Sequence, residues 1–137
     1  PRFHLILIAM NQTGYKNLCK LSTISWSEGY YFKPRIDHEL LKKYNEGIIC
    51  LSGCIGGEVG DALRNGNISA AKKAAQIYKK IFGDRYYLEL QAHALPSKPY
   101  DNTSQSEVFP FVYSSAFLLS ILRHRPLWYG IFQMHPD

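Results

Sequence analysis

Cys54 is the side chain best placed for chemistry in this chain of 137 residues. It stands in the stretch G-I-I-C-L-S-G-C-I-G-G-E, residues 47–58. Ile48–Leu51 is a short apolar run of the kind that fills a buried strand. Ser52-Gly53 breaks that strand, and Gly56-Gly57 opens the next element. Cys54 therefore falls just past the C-terminal end of a strand, where α/β folds place their working groups. Its sulfur is soft and polarizable. The alternative reading is structural: most free cysteines behave as small buried apolar residues.

The other cysteines narrow the setting. Cys19, Cys50 and Cys54 are an odd number with no framework spacing, which points to free thiols in a reducing, cytoplasmic compartment. Cys50-x3-Cys54 is not a zinc-ribbon spacing, and no second pair matches it. The chain carries a formal charge of +5. Residues 1–100 hold 14 Lys/Arg and 8 Asp/Glu, a net of +6, while residues 101–137 hold 2 and 3, a net of −1. The positive excess is thus confined to the first hundred residues. It favours an anionic partner such as nucleic acid; the plain alternative is lysine solvating helix faces. Ordinary apolar and aromatic content excludes wholesale disorder. The chain begins Pro1-Arg2 with no initiator Met and no secretory signal, and reads as a cut inside a longer protein.

The elements that must position Cys54 alternate along the chain. Residues 3–10, F-H-L-I-L-I-A-M, form a near-continuous apolar run, the pattern of a strand covered on both faces. Residues 11–13 close it. Residues 14–27 place Tyr15, Leu18, Leu21, Ile24 and Ser25 at helical spacing. Residues 29–34, G-Y-Y-F-K-P, make an aromatic loop. Asp37 can cap a helix through Tyr44, with Leu40, Leu41 and Tyr44 inward, and Gly47 suits the left-handed position after it. The Ile48–Leu51 strand follows, then a short helix over Glu58–Arg64. Ile68–Phe82 is the clearest helix, with Ser69 as its cap, Ile77 and Tyr78 among its apolar face and Gly83 as its stop. Residues 85–91, R-Y-Y-L-E-L-Q, read as a third strand. The order β-α-α-β-α-α-β predicts an α/β fold with parallel strands joined by right-handed crossovers. Three strands leave faces and edges unprotected, so the expectation is an arc of a larger barrel or sheet.

From about residue 101 the pattern changes. Residues 101–107 are polar. Residues 108–122 are strongly apolar, but fifteen residues with an internal proline fall short of the ~20 that span a bilayer. They read as one face of a buried helix, and no membrane partner is expected.

The blocks R-F-H-L-I-L-I-A-M-N with G-Y-K-N-L, E-G-Y-Y-F-K-P-R-I-D, E-G-I-I-C-L-S-G-C-I-G-G-E and I-F-G-D-R-Y-Y-L-E-L-Q-A-H run in order through residues 2–96. In sequence and spacing they resemble the polymerase-and-histidinol-phosphatase (PHP) domain of bacterial replicative DNA polymerase III alpha subunits. The resemblance implies a partial distorted (β/α) barrel over residues 1–100, with residues 101–137 a tail outside the family fold. It implies up to three zinc or manganese ions held by His, Asp, Glu and sometimes Cys.

Three positions match the family's ligand pattern: His4 in F-H-L, Cys54 in S-G-C and His93 in E-L-Q-x-H. Read alone, His4 is better taken as a satisfied core histidine and His93 as a turn cap before Pro96; together, at the family's positions, they favour ligation. Ala94 stands where the family usually has Gly. The family's opening His-x-His segment would precede Pro1, and its later Asn-Asp-x-His strand has no counterpart in 101–137; His124 and His135 therefore receive no ligand role. The polymerase palm with its catalytic carboxylates is absent from the chain.

With ligands intact, the family resemblance implies a metal-dependent phosphoesterase of 3′–5′ exonuclease type within a DNA polymerase, the ions stabilising charge on attacking and leaving oxygens. With ligands lost, it implies a structural platform that docks the proofreading exonuclease subunit and other replicative holoenzyme subunits. A stand-alone phosphatase of the superfamily is the third reading, disfavoured by the P-R-I-D and G-Y-K-N-L blocks. For this fragment alone, weak or no metal binding and no activity are expected. The resemblance carries over no catalytic residue and no DNA-contacting residue.

Overall fold

The structure is a computed structural model and describes residues 2–89 and 128–135. Its elements are β1 (Phe3–Ala9), α1 (Gln12–Ser27), α2 (His38–Tyr44), β2 (Ile48–Leu51), α3 (Glu58–Arg64), α4 (Ile68–Phe82), β3 (Tyr86–Tyr87) and β4 (Trp128–Met134). Local chemistry sets the helix starts. Asn11 caps α1 by accepting from Gly14 N at 2.9 Å, so α1 begins two residues before the apolar periodicity suggests. Asp37 caps α2 through Leu40 N at 2.8 Å, as expected. Asn67 caps α4 through Ala70 N, displacing Ser69 from that role. Gly83 ends α4 at φ 59°. Ile77, expected on the inner face of α4, is exposed.

The strands form a mixed sheet in the order β3-β2-β1-β4. Among the described strands only β2 and β3 pair in parallel. β1 runs antiparallel to β2, pairing Ile6 with Leu51 and Ala9 with Ile48. The expected all-parallel arrangement is therefore corrected, and the described strands make an open sheet. Alternation of apolar runs and helices shows that a crossover exists but not which end of the next strand arrives first. Here a backbone contact decides it. Met10 N donates to Gly47 O at 2.8 Å, and Asn17 Nδ2 donates to Glu46 O at 3.0 Å. The turn before β2 thus docks on the first turn of α1, beside the end of β1. A Cβ on Gly14 would lie 1.9 Å from Gly47 O, so only glycine admits this approach. Gly47 itself sits at φ 69°, a region that disfavours any residue with a Cβ. Arg85 secures the same turn from the other side, donating to the carbonyls of Asn45 and Ile48.

Residues 128–134, from the tail expected to pack poorly, instead pair antiparallel with β1 along its whole length, and Met134 is fully buried. A seven-residue strand finds a full-length partner on the open edge of β1, and unpaired backbone groups there would otherwise need water. The apolar run 108–122, the expected division at residue 100 and the last two residues of the expected third strand lie outside the described residues.

All four helices contribute to one core cluster, against Leu5, Leu7 and Ala9 of β1 and Ile48 and Cys50 of β2. The alternate residues Ile8, Ile49, Leu51 and Tyr87 form a smaller cluster on the opposite face. Among the described residues no helix is long and apolar enough to cross a membrane.

If the Gly14–Gly47 contact sets the sheet, Gly14→Ala should lower unfolding free energy by about 3 kcal/mol, the upper end of overpacking costs, because the obstacle is backbone. Gly66→Ala, at φ 71° with nothing within 4 Å, should cost only the left-handed penalty of about 1–2 kcal/mol. Urea denaturation of both variants measures the difference, and equal losses would contradict this role.

Candidate metal centre

Antiparallel pairing explains how His4, at the start of its strand, reaches Cys54, past the end of another. The start of β1 lies beside the end of β2, and the Ser52–Gly57 loop folds back over it. His4 N donates to Gly56 O at 2.9 Å. Gly53, at φ 77°, lies so close that its Cβ would meet His4 O at 2.8 Å. The loop is closed by Gly57 N donating to Cys54 O at 2.8 Å. The outcome is that His4 Nδ1 stands 3.7 Å from Cys54 Sγ, fifty positions apart in sequence. Gly56 N also donates to the sulfur at 3.4 Å, fixing its direction. His4 is exposed and Cys54 half-buried, so the pair faces solvent. Cys50, by contrast, is fully buried, and burial pushes its thiol up, with Arg85 partly opposing. Cys19, Cys50 and Cys54 are all free thiols.

This pair fits a zinc-type ion. Bonds of about 2.0 Å to nitrogen and 2.3 Å to sulfur, at a tetrahedral angle, put the two donors about 3.5 Å apart. Two donors do not complete a site, and among the described residues no group of three or more His, Cys, Asp and Glu is gathered. His93 lies outside the described residues. β3 is parallel to β2, Ser52 N donates to Tyr87 O at 2.9 Å, and Glu89 N donates to Ser52 Oγ at 2.9 Å. The backbone therefore exits at the Cys54 end of the sheet.

Behind the loop lies a buried polar cluster that sequence reasoning missed. Glu58, the first residue of α3, accepts from Tyr78 OH at 2.8 Å, and His38 Nε2 lies 3.7 Å from the same oxygen. Residues from α2, α3 and α4 meet there, directly after the Cys54 loop. Tyr78 was legible only as an apolar helix position; the one local signal was a carboxylate placed immediately after Gly56-Gly57. Burial raises the Glu58 carboxyl, but the adjacent His38 imidazole and the hydrogen bond from Tyr78 outweigh it and hold it below the usual range. Burial pushes the Tyr78 hydroxyl up, and the Glu58 charge adds to that. Tyr86 OH, stacked nearby with ring centroids 5.5 Å from Tyr78, is buried and has no hydrogen-bond partner among the described residues.

The PHP domain profile matches residues 1–93 of the chain. The chain belongs to the PHP domain family. It is 48% identical over 100 residues to the DNA polymerase III subunit alpha of Deinococcus radiodurans, covering 73% of this chain and 8% of that protein. It is 50% identical over 93 residues to that of Borreliella burgdorferi, covering 68% and 8%. With that of Aquifex aeolicus it shares 46% over 105 residues, covering 77% and 9%. The chain thus spans less than a tenth of the length of these relatives. The PHP match contains both His4 and Cys54 and reaches His93.

The polar cluster makes a pH-dependent contribution with a definite sign. The folded Glu58 pKa lies below its ordinary 4.5, so its stabilisation is full above pH ~4.5 and is lost as pH falls through the folded value. Glu58→Gln should flatten that acid limb in chemical denaturation. Tyr78→Phe should cost about 1.5–3 kcal/mol, the range for a hydrogen bond to a charged group. Tyr86→Phe should be neutral or stabilising, since it removes an unpartnered buried hydroxyl. If Tyr86→Phe cost as much as Tyr78→Phe, the assigned hydrogen bonding would be wrong.

Proposed function

We propose that this chain is a piece of the PHP module of a bacterial replicative DNA polymerase alpha subunit, and that His4, Cys54 and His93 are metal donors of a phosphoesterase site of 3′–5′ exonuclease type. The observation that carries this reading is the 3.7 Å approach of His4 Nδ1 to Cys54 Sγ within the PHP match. The names of the relatives support the replicative setting: each is a DNA polymerase III subunit alpha. In the longer protein the partners would be DNA and the holoenzyme subunits, including the proofreading exonuclease subunit, in the cytoplasm. The open sheet would be an arc of a larger distorted (β/α) barrel; apolar residues on both of its faces support that placement.

Each residue has a physical role in this reading. His4 presents an exposed imidazole held by the backbone of β1. Cys54 presents its sulfur under the Gly56 N–H. Glu58, tied to His38 and Tyr78, anchors the end of the loop that carries Cys54. A bound zinc or manganese ion would supply Lewis-acid activation of water and charge stabilisation on a phosphoryl group. With only part of a donor set, the chain by itself should bind metal weakly and be inactive.

Titration with Co²⁺ as a spectroscopic stand-in for zinc tests the site. A thiolate-to-cobalt absorption band should appear with weak affinity. It should vanish in Cys54→Ser and persist in Cys19→Ser. In His4→Ala the affinity should fall by more than about tenfold, the least that loss of even a supporting group costs. A band that survives Cys54→Ser would overturn the assignment.

A further inference from the structure

We propose that the aromatic loop following α1 is a stacking platform for single-stranded nucleic acid. Trp26, Tyr30, Tyr31 and Phe32 are 55% to 78% exposed, and only one other large hydrophobic side chain among the described residues is exposed, Ile77 on α4. Exposed apolar residues are normally scattered; a cluster marks an interaction surface. All four are flat rings.

The loop is held in shape by its own contacts. Trp26 and Tyr30 stack with centroids 5.7 Å apart, and Tyr31 meets Phe32 edge-on at 4.8 Å. Arg35 Nη2 donates to Tyr31 O at 2.8 Å, and its guanidinium lies 4.7 Å over the Tyr31 ring. Phe32 sits at φ 60°, a left-handed conformation that a bulky side chain rarely adopts. Strain of this kind persists where the surroundings enforce it and clusters at binding sites. The Phe32 ring is 78% exposed.

Location ties the platform to the candidate metal pair. Ile36, at the foot of the loop, bridges to Met134, and His135 N donates to Ile36 O at 3.0 Å. Met134 pairs with Phe3, the residue before His4. The loop therefore rises from the same end of the sheet as His4, about 10 Å away across two strand spacings. A cleft of about 480 Å³, lined in part by Tyr30, Tyr31, Arg35 and His135, opens beside the rings.

Chain-wide charge bears on the occupant. Lys33 and Arg35 stand against Glu28 and Asp37 around the loop and its cleft, and the positive excess belongs to the chain as a whole, residues 1–100 carrying the net +6. A basic chain attracts a polyanion, and bases stack on aromatic rings whatever their sequence. The choice of nucleic acid also rests on the polymerase-module reading above.

The test uses the full chain with a fluorescent oligothymidylate of about twenty nucleotides, a length that outspans the platform. Binding is read by anisotropy and by Trp26 emission in a Trp128→Phe background. The oligonucleotide should quench Trp26. Tyr30→Ala and Phe32→Gly should each weaken binding by about 5- to 150-fold. Phe32→Gly suits the left-handed backbone, so a folding defect would not mimic the loss. Absence of a cobalt band in the unaltered chain would refute the metal reading without touching the platform, whose readouts involve no metal. Binding that is unchanged in the ring variants would show charge alone at work and overturn the proposal. Absence of binding, with ring variants instead altering oligomeric state, would make the surface a protein contact and overturn it equally.

Discussion

The contact between Gly14 and Gly47 is the constraint from which the sheet geometry follows. Backbone from the first turn of α1 and backbone from the turn before β2 touch without a side chain between them. That contact puts the end of β1 beside the start of β2 and so makes the pair antiparallel. The opposite ends, His4 and the residues after Leu51, are then neighbours by necessity. A parallel β1 would have placed His4 at the far end of the sheet, a strand length of about 20 Å from Cys54. The candidate donor pair is thus a remote consequence of two glycines that touch neither donor.

A second layer fixes His4 and Cys54 once the strands are paired. The loop from Ser52 to Gly57 lies on the backbone of His4, and its glycines allow the close approach. Glu58 then joins the loop to three helices through His38 and Tyr78. This cluster is mostly buried, and its polar atoms are worth most when paired with one another. It holds the exit of the loop as the Gly14–Gly47 contact holds the entry to β2. Rigid support behind an exposed donor pair is what a metal site requires, since ligand geometry must be held more tightly than a surface loop can manage alone.

The PHP relationship and the geometry bear on different questions. The match over residues 1–93 establishes descent and the class of fold. It does not say whether the candidate donors of this chain come together. The 3.7 Å separation answers that for His4 and Cys54 by distance. β4 lies beyond the family match, yet it completes the far edge of β1 and buries Met134 in the same core. Core membership therefore extends past the boundary that family pattern would draw.

Local features were determined by the sequence. Ile48–Leu51, Glu58–Arg64 and Ile68–Phe82 lie where apolar periodicity and breakers put them, because each depends on contacts within a few residues. Asp37 as a cap and Gly47 as a left-handed residue follow from side-chain reach and the absence of a Cβ. Cys54, after its strand, was legible from Ser52-Gly53 alone, and His4 became legible through the family blocks. Strand direction, the edge taken by β4 and the His38–Glu58–Tyr78 cluster were decided only by tertiary structure. Those depend on which distant backbones can approach. A composition that alternates strands and helices is satisfied equally by parallel and antiparallel pairing, and contact between Gly14 and Gly47, thirty-three positions apart, selects between them.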